Sequence, residues 1–197
     1  MEITTSMVKE LRQATGAGVL DCKKALETSG GDLEKAKAYL QEKGLAAAAK
    51  KADRAAEEGL IEAYVHTGGR VGALIELNCE TDFVARTEAF KELAHDLAMQ
   101  VVATNPLCLA PADIPPGVLE EEKSKYQTQA RDMGKPERII DRIVEGKLQK
   151  YYQEVCLLEQ PFIKDDDLTV QDIITQMIAK SGENIVVRRF VRFELGD

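Results

Sequence analysis

Aromatic residues are scarce in this sequence, at 5% of the chain, and tryptophan is absent. A phenylalanine at a junction between two patterned segments is therefore conspicuous. Histidine occurs only as His66 and His95, and neither has an acid–nucleophile pattern around it, which leaves little room for nucleophilic or acid–base catalysis. There is no P-loop pattern and no GxGxxG, so the glycine-rich phosphate cradles are excluded. Basic residues are in deficit, 26 against 34 acidic ones, for a net charge of -8. That balance is unsuited to tracking phosphate backbones and argues against direct nucleic-acid binding. No apolar run approaches the roughly 18 residues of a membrane helix, and the opening Met1-Glu2-Ile3-Thr4 lacks the basic and apolar regions of a signal peptide. Cys22, Cys79, Cys108 and Cys156 are far apart, with no CxxC and no neighbouring histidine cluster. They are expected to be free, buried thiols in a reducing cytoplasm, with no zinc site.

What is present is a change of period along the chain. Residues 1–44 read as three short helices. Thr4 can cap the first, with Met7, Val8 and Leu11 on its apolar face, and Gly16-Ala17-Gly18 turns the chain. The second spans about 19–28. Gly30-Gly31 breaks it, and Asp32 can cap the third, expected to end near Gly44. Residues 45–58, LAAAAKKADRAAEE, favour helix but offer little apolar surface beyond Leu45. They read either as a solvated helical linker or as a helix docked by its alanines.

From residue 59 to 197 the pattern is that of an α+β core domain. Segments 60–66 and 70–78 flank Thr67-Gly68-Gly69 as a hairpin, with Val71, Ala73, Ile75 and Leu77 alternating. Phe90, Leu93, Ala94, Leu97, Ala98, Val101 and Val102 recur at helical spacing. After a proline-rich loop, residues 119–133 read as a polar helix. Pro136 opens another, with a stripe from Ile139 to Val155. Asp165-Asp166-Asp167 reads as a solvated loop, lacking the alternating ligand spacing of a calcium loop. It precedes a helix capped by Thr169 and Asp172. The last segment is a strand with Ile185, Val187, Val191, Phe193 and Leu195 on one face, interrupted at Arg189 by a bulge or a break. Strands and helices do not alternate in βαβ order, so the sheet is expected to be antiparallel.

The hexapeptide Cys79-Glu80-Thr81-Asp82-Phe83-Val84 joins the hairpin to the helix that follows. On spacing alone, Asp82 reads as a cap and Phe83 folds back onto the core. The alternative is that Phe83 is offered to a partner, where full burial of its ring is worth roughly 2–3 kcal/mol.

Three long stretches bear on that choice. VKELRQATGAGVLDCKKAL (residues 8–26), ELNCETDFV (76–84) and GKPERIIDRIVEGKLQKYYQEVCLLEQPFIKD (134–165) resemble, in this order, the elongation factor Ts family of bacteria, as does the closing FVRFELG (190–196). The resemblance implies a guanine-nucleotide exchange factor for the GTPase elongation factor Tu, without chemical catalysis or cofactor. It implies that Thr81, Asp82, Phe83 and Val84 enter the GTPase beside its magnesium and phosphate site. Phe83 would act as wedge and Asp82 would disturb the metal's surroundings. It likens residues 1–44 to a ubiquitin-associated fold that grips the same GTPase through Arg12, Val19, Leu20 and Lys23. Many members have methionine where this chain has Val19 and Leu20. His66, in YVHTGGRVGAL, resembles another contact segment. Longer members carry two related hairpin modules and an extra helical hairpin, whereas this chain has room for one. It resembles a short form, expected to act as a homodimer. Two other readings stand beside this one: an adaptor for ribosome-linked or nascent-chain traffic using residues 1–44 alone, and a cofactor-free enzyme using Cys79 or Cys156.

Overall fold

The computed structural model describes residues 3–197, so Met1 and Glu2, on which the signal-peptide reading partly rests, lie outside the described residues. Local chemistry sets the first helices. α1 (Thr5–Thr15) starts where the Thr4 hydroxyl accepts the Met7 N–H, and stops at Gly16, left-handed at φ 65°. α2 (Val19–Thr28) follows. Asp32 accepts the Lys35 N–H to begin α3 (Leu33–Ala49). Leu11, Cys22, Ala25, Leu26 and Ala36 form a small core of their own, flanked by Met7, Val8, Tyr39 and Leu40.

The expected stop near Gly44 is not there, because α3 continues to Ala49. Alanine, lysine and glutamate carry the helix across the glycine. Gly44 itself is buried where α3 packs on α8 (Val170–Ser181), with Thr175 Cγ2 3.6 Å from the place a Cβ would take. Ala48 reaches the main core, Gln41 donates to Asp172 at 3.0 Å, and Lys51 donates to the Ile178 carbonyl at 3.3 Å. Within 45–49, which are helical, Ala48 is the alanine that packs on the main core, while Leu45, Ala46 and Ala49 are exposed. Residues 50–57 form a non-helical turn.

The main sheet has the order β1-β2-β5, all antiparallel, from β1 (Glu58–Val65), β2 (Val71–Cys79) and β5 (Ile185–Glu194). The chain is thus α+β, as its pattern indicates. Ala73, Ile75, Leu77 and Cys79 face α5 (Glu88–Thr104), which buries Phe90, Leu93, Leu97 and Val101. Val170, Ile174 and Ile178 of α8 complete the core. At Gly59, φ is 145° and the Leu77 carbonyl fills the place of a side chain, so only glycine fits this strand crossing.

β5 corrects the one-face reading of its odd residues. Val187 pairs with Leu77 but Arg189 pairs with Glu76, so Arg188 is an extra residue. One inserted residue exchanges the faces of everything beyond it. Ile185 and Val187 are buried, Phe190 continues inward, and Val191 and Phe193 turn outward to solvent.

α6 (Pro116–Asp132) and α7 (Glu137–Val155) pack together around Ala130, Ile140, Val144 and Leu148. Pro116 occupies the first turn of α6, which therefore begins before Leu119, whereas Pro136 sits just outside α7 as its cap. Asp165-Asp166-Asp167 is not a loop. β4 (Asp165–Thr169) pairs with β3 (Pro161–Phe162), its acids exposed. Thr169 and Asp172 form the expected capping box at the start of α8.

Candidate partner-binding site

The connection from β2 to α5 is built by anchoring both ends and leaving the middle free. The buried Cys79 thiol donates to the Thr81 carbonyl at 3.1 Å. Glu80 turns back, accepting the Asn184 N–H at 2.7 Å and meeting Arg54 at 3.4 Å. Thr81 is extended, and its N–H and hydroxyl donate to the two oxygens of Glu183 at 3.0 and 2.7 Å. A single helical turn follows, α4 (Asp82–Ala85). The Thr87 hydroxyl closes it on the Val84 carbonyl at 2.8 Å, and the same oxygen accepts the Phe90 N–H to start α5.

Within that turn Ala85 is buried and Val84 packs against the core, so Phe83 has no inward place left and is 78% exposed. The fold-back reading of Phe83 is therefore wrong. So is the reading of Asp82 as the cap: Thr81 holds that position, and Asp82 is a first-turn residue paired with Arg86 at 2.7 Å. Of the four residues 81–84, Phe83 and Asp82 are the ones presented. Thr81 is solvent-accessible but its polar groups are already bonded, and Val84 is half-buried. A lone exposed apolar residue is ordinary; this one stands on a turn fixed from both sides.

The N-terminal candidates lie on the other small core. Val19 and Leu20 begin α2, 53% and 82% exposed, and Lys23 follows on the same helical face. Arg12 is exposed in the last turn of α1, just before the turn into α2. His66 is exposed, with Nδ1 3.0 Å from the Tyr64 hydroxyl. His95, on α5, is exposed, and its Nδ1 lies 2.9 Å from Glu62. Tyr64 lies edge-on to both imidazoles.

The thiols do not support nucleophilic chemistry. Burial pushes the Cys79 thiol up, with Glu183 adding in the same direction. Burial and the hydrogen bond to Cys108 push the Cys156 thiol up to about 12. A nucleophilic cysteine needs the opposite shift. Cys108 is only half-buried, and its sulfur lies 3.6 Å from that of Cys156, although 48 residues separate them. Among the described residues no group of three or more His, Cys, Asp or Glu is placed to hold a metal ion. No helix among them is long and apolar enough to cross a membrane.

Sequence reasoning missed Glu183, Asn184, Arg54 and Arg86. Only Arg86 carried a signal, its i,i+4 spacing from Asp82. The others approach from distant segments.

A family model described as "Elongation factor TS" matches residues 4–197. Elongation factor Ts of Heliobacterium modesticaldum is 59% identical over 195 residues, covering 99% of this chain and 91% of that protein. Elongation factor Ts of Moorella thermoacetica is 59% identical over 195 residues, covering 99% and 96%. That of Coprothermobacter proteolyticus is 58% identical over 197 residues and covers both chains completely.

Proposed function

The chain belongs to the elongation factor Ts family, whose name places it in translation elongation, and from that premise we propose that it is a guanine-nucleotide exchange factor for elongation factor Tu. The observation that carries the proposal is Phe83, held 78% exposed on a one-turn helix between two anchored ends. Inserted beside the GTPase's phosphate and magnesium site, the ring supplies apolar burial. The Asp82 carboxylate next to it supplies a charge that competes for, or displaces, the metal. Val19 and Leu20, with Arg12 and Lys23, form a second hold on the same GTPase. His66 is a further contact. No bond is made or broken by the factor, and no cofactor enters.

The energetics are those of linkage. A factor that binds the nucleotide-free GTPase better than the GDP-bound one weakens GDP binding by the same ratio, and GTP weakens the factor's hold in return. Each tenfold ratio corresponds to about 1.4 kcal/mol of differential binding. The test is release of a fluorescent GDP from elongation factor Tu chased with unlabelled GDP. The chain in substoichiometric amount should accelerate release catalytically. Release at the spontaneous rate would refute the proposal and favour the adaptor reading of the N-terminal helices.

The proposal includes self-association. The sheet face turned away from α5 carries Ile61, Val65, Leu74, Val191 and Phe193, all exposed, with the Glu76–Arg189 pair at one end. A contiguous apolar face rimmed by charge favours an interface. A second copy laid sheet to sheet would cover both faces at once.

A further inference from the structure

We infer that Glu183 is a positioning residue for Phe83, holding the exposed turn in its protruding conformation from across the fold. The inference rests on the exchange reading for its consequence, but the clamp itself is geometric. Glu183 lies between α8 and β5, 102 residues from Thr81, and takes both of that residue's donors, the N–H at 3.0 Å and the hydroxyl at 2.7 Å. A threonine at a helix N-cap ordinarily turns its hydroxyl to the helix's own N–H groups. Thr81 makes no such bond. Its hydroxyl is a donor to a carboxylate instead, a charge-assisted bond stronger than a neutral cap.

The opposing turn is itself held by hydrogen bonds. Gly182, left-handed at φ 81°, closes α8 with its N–H on the Ile178 carbonyl. The Ser181 hydroxyl oxygen accepts the Glu183 N–H at 3.2 Å. Asn184 is buried, and its amide donates to the Ala52 and Arg54 carbonyls at 3.3 and 2.9 Å. Glu80 and Glu183 form a reciprocal arrangement. Glu80 accepts the backbone N–H of Asn184, and Glu183 accepts the backbone N–H of Thr81. Two carboxylates thus lace the end of β2 to the start of β5, at the ladder pair Cys79–Ile185.

A single helical turn does not hold its shape unaided. Without Glu183, residues 81–83 would sample positions in which the ring lies against the protein's own surface. Ordering them would then be charged against binding at the GTPase. The effect belongs to the step in which the ring inserts, since the N-terminal grip is made by a separate core.

The test has two arms. In the free protein, amide hydrogen exchange of Thr81, Ala85, Arg86 and Thr87, whose N–H groups are bonded in this turn, should speed up at least tenfold in Glu183→Ala, while amides in the middle of α5 keep parental rates. Thr81→Ser, which keeps both donors, should keep the parental exchange rates of these amides. In GDP release from elongation factor Tu titrated with factor, Glu183→Ala and Thr81→Val should each lower the saturating rate about tenfold. The half-saturating concentration should change less than about threefold. The double variant should be no slower than Glu183→Ala alone. Parental protection of the turn's bonded amides in Glu183→Ala would overturn the clamp. Loosened amides with a parental saturating rate would overturn its role in positioning. If the parent chain fails to release GDP, the exchange reading falls, and the positioning role falls with it. The amide arm still decides whether the clamp exists.

Discussion

Phe83 is exposed because its neighbours have taken the inward places. Ala85 and Val84 fill the core side of a four-residue turn, and Thr81 is tied to Glu183. Nothing in a window that short reveals which side of the turn faces inward, so the sequence pattern leaves the ring's direction open. The hexapeptide itself was legible as unusual; its supports were not, since Glu183 and Asn184 come from a segment 102 to 104 residues away. The Asp82–Arg86 pair is an exposed one of the kind worth little to stability. Urea unfolding of Arg86→Ala should therefore fall within about 0.5 kcal/mol of the parent. A larger loss would mean that the pair holds the turn. Thiol chemistry gives a second check. Raised thiol pKa values leave Cys79 and Cys156 protonated at neutral pH, and the Cys156 thiolate appears only as pH approaches about 12. Mass-spectrometric alkylation at pH 7.5 should find both far slower than a free thiol, with the half-buried Cys108 modified first.

The helices were easier to read than their junctions. Thr4, Asp32 and Thr169 cap where composition says they should, because capping is decided within four residues. Two departures came from packing. α3 passes through Gly44 because helix-forming neighbours continue it and α8 packs on it there, and β5 changes face at Arg188 because one residue is inserted against β2. At Gly44 the neighbour stands at ordinary contact distance from a Cβ, so helix propensity decides the sign. Gly44→Ala should raise unfolding stability by about 0.5–1 kcal/mol, and Gly44→Leu should lower it by forcing α3 from α8. The same junction responds to acid. Burial works to raise the Asp172 carboxyl, but hydrogen bonds from the Thr169 backbone and side chain and from Gln41 hold it below its ordinary value. A carboxyl depressed in the folded state stabilises above its unfolded pKa, and that contribution disappears as pH falls through the folded one. Asp172→Asn should thus cost about 1 kcal/mol at neutral pH. Its difference from the parent should shrink as pH drops below 4. A pH-independent difference would contradict the assignment.

At the scale of the molecule, two cores carry two candidate holds on one partner. Val19 and Leu20 stand on the small N-terminal core and Phe83 on the edge of the large one, joined through the α3–α8 contact. The α+β class and the hairpin were legible because alternation in β2 is clean. The apolar outer sheet face was not, because it depends on the bulge that sends Val191 and Phe193 outward. Analytical ultracentrifugation should find a dimer for the parent chain and a monomer for Ile61→Glu with Phe193→Glu. A parental monomer with full exchange activity would remove self-association from the account. The most direct measurement is the saturating rate of GDP release from elongation factor Tu with Phe83→Ala in place of the parent. Loss of roughly 2 kcal/mol of apolar burial predicts a fall of about thirtyfold, with circular dichroism and thermal unfolding unchanged. A parental rate from a folded Phe83→Ala chain would show that the exposed ring is not the wedge.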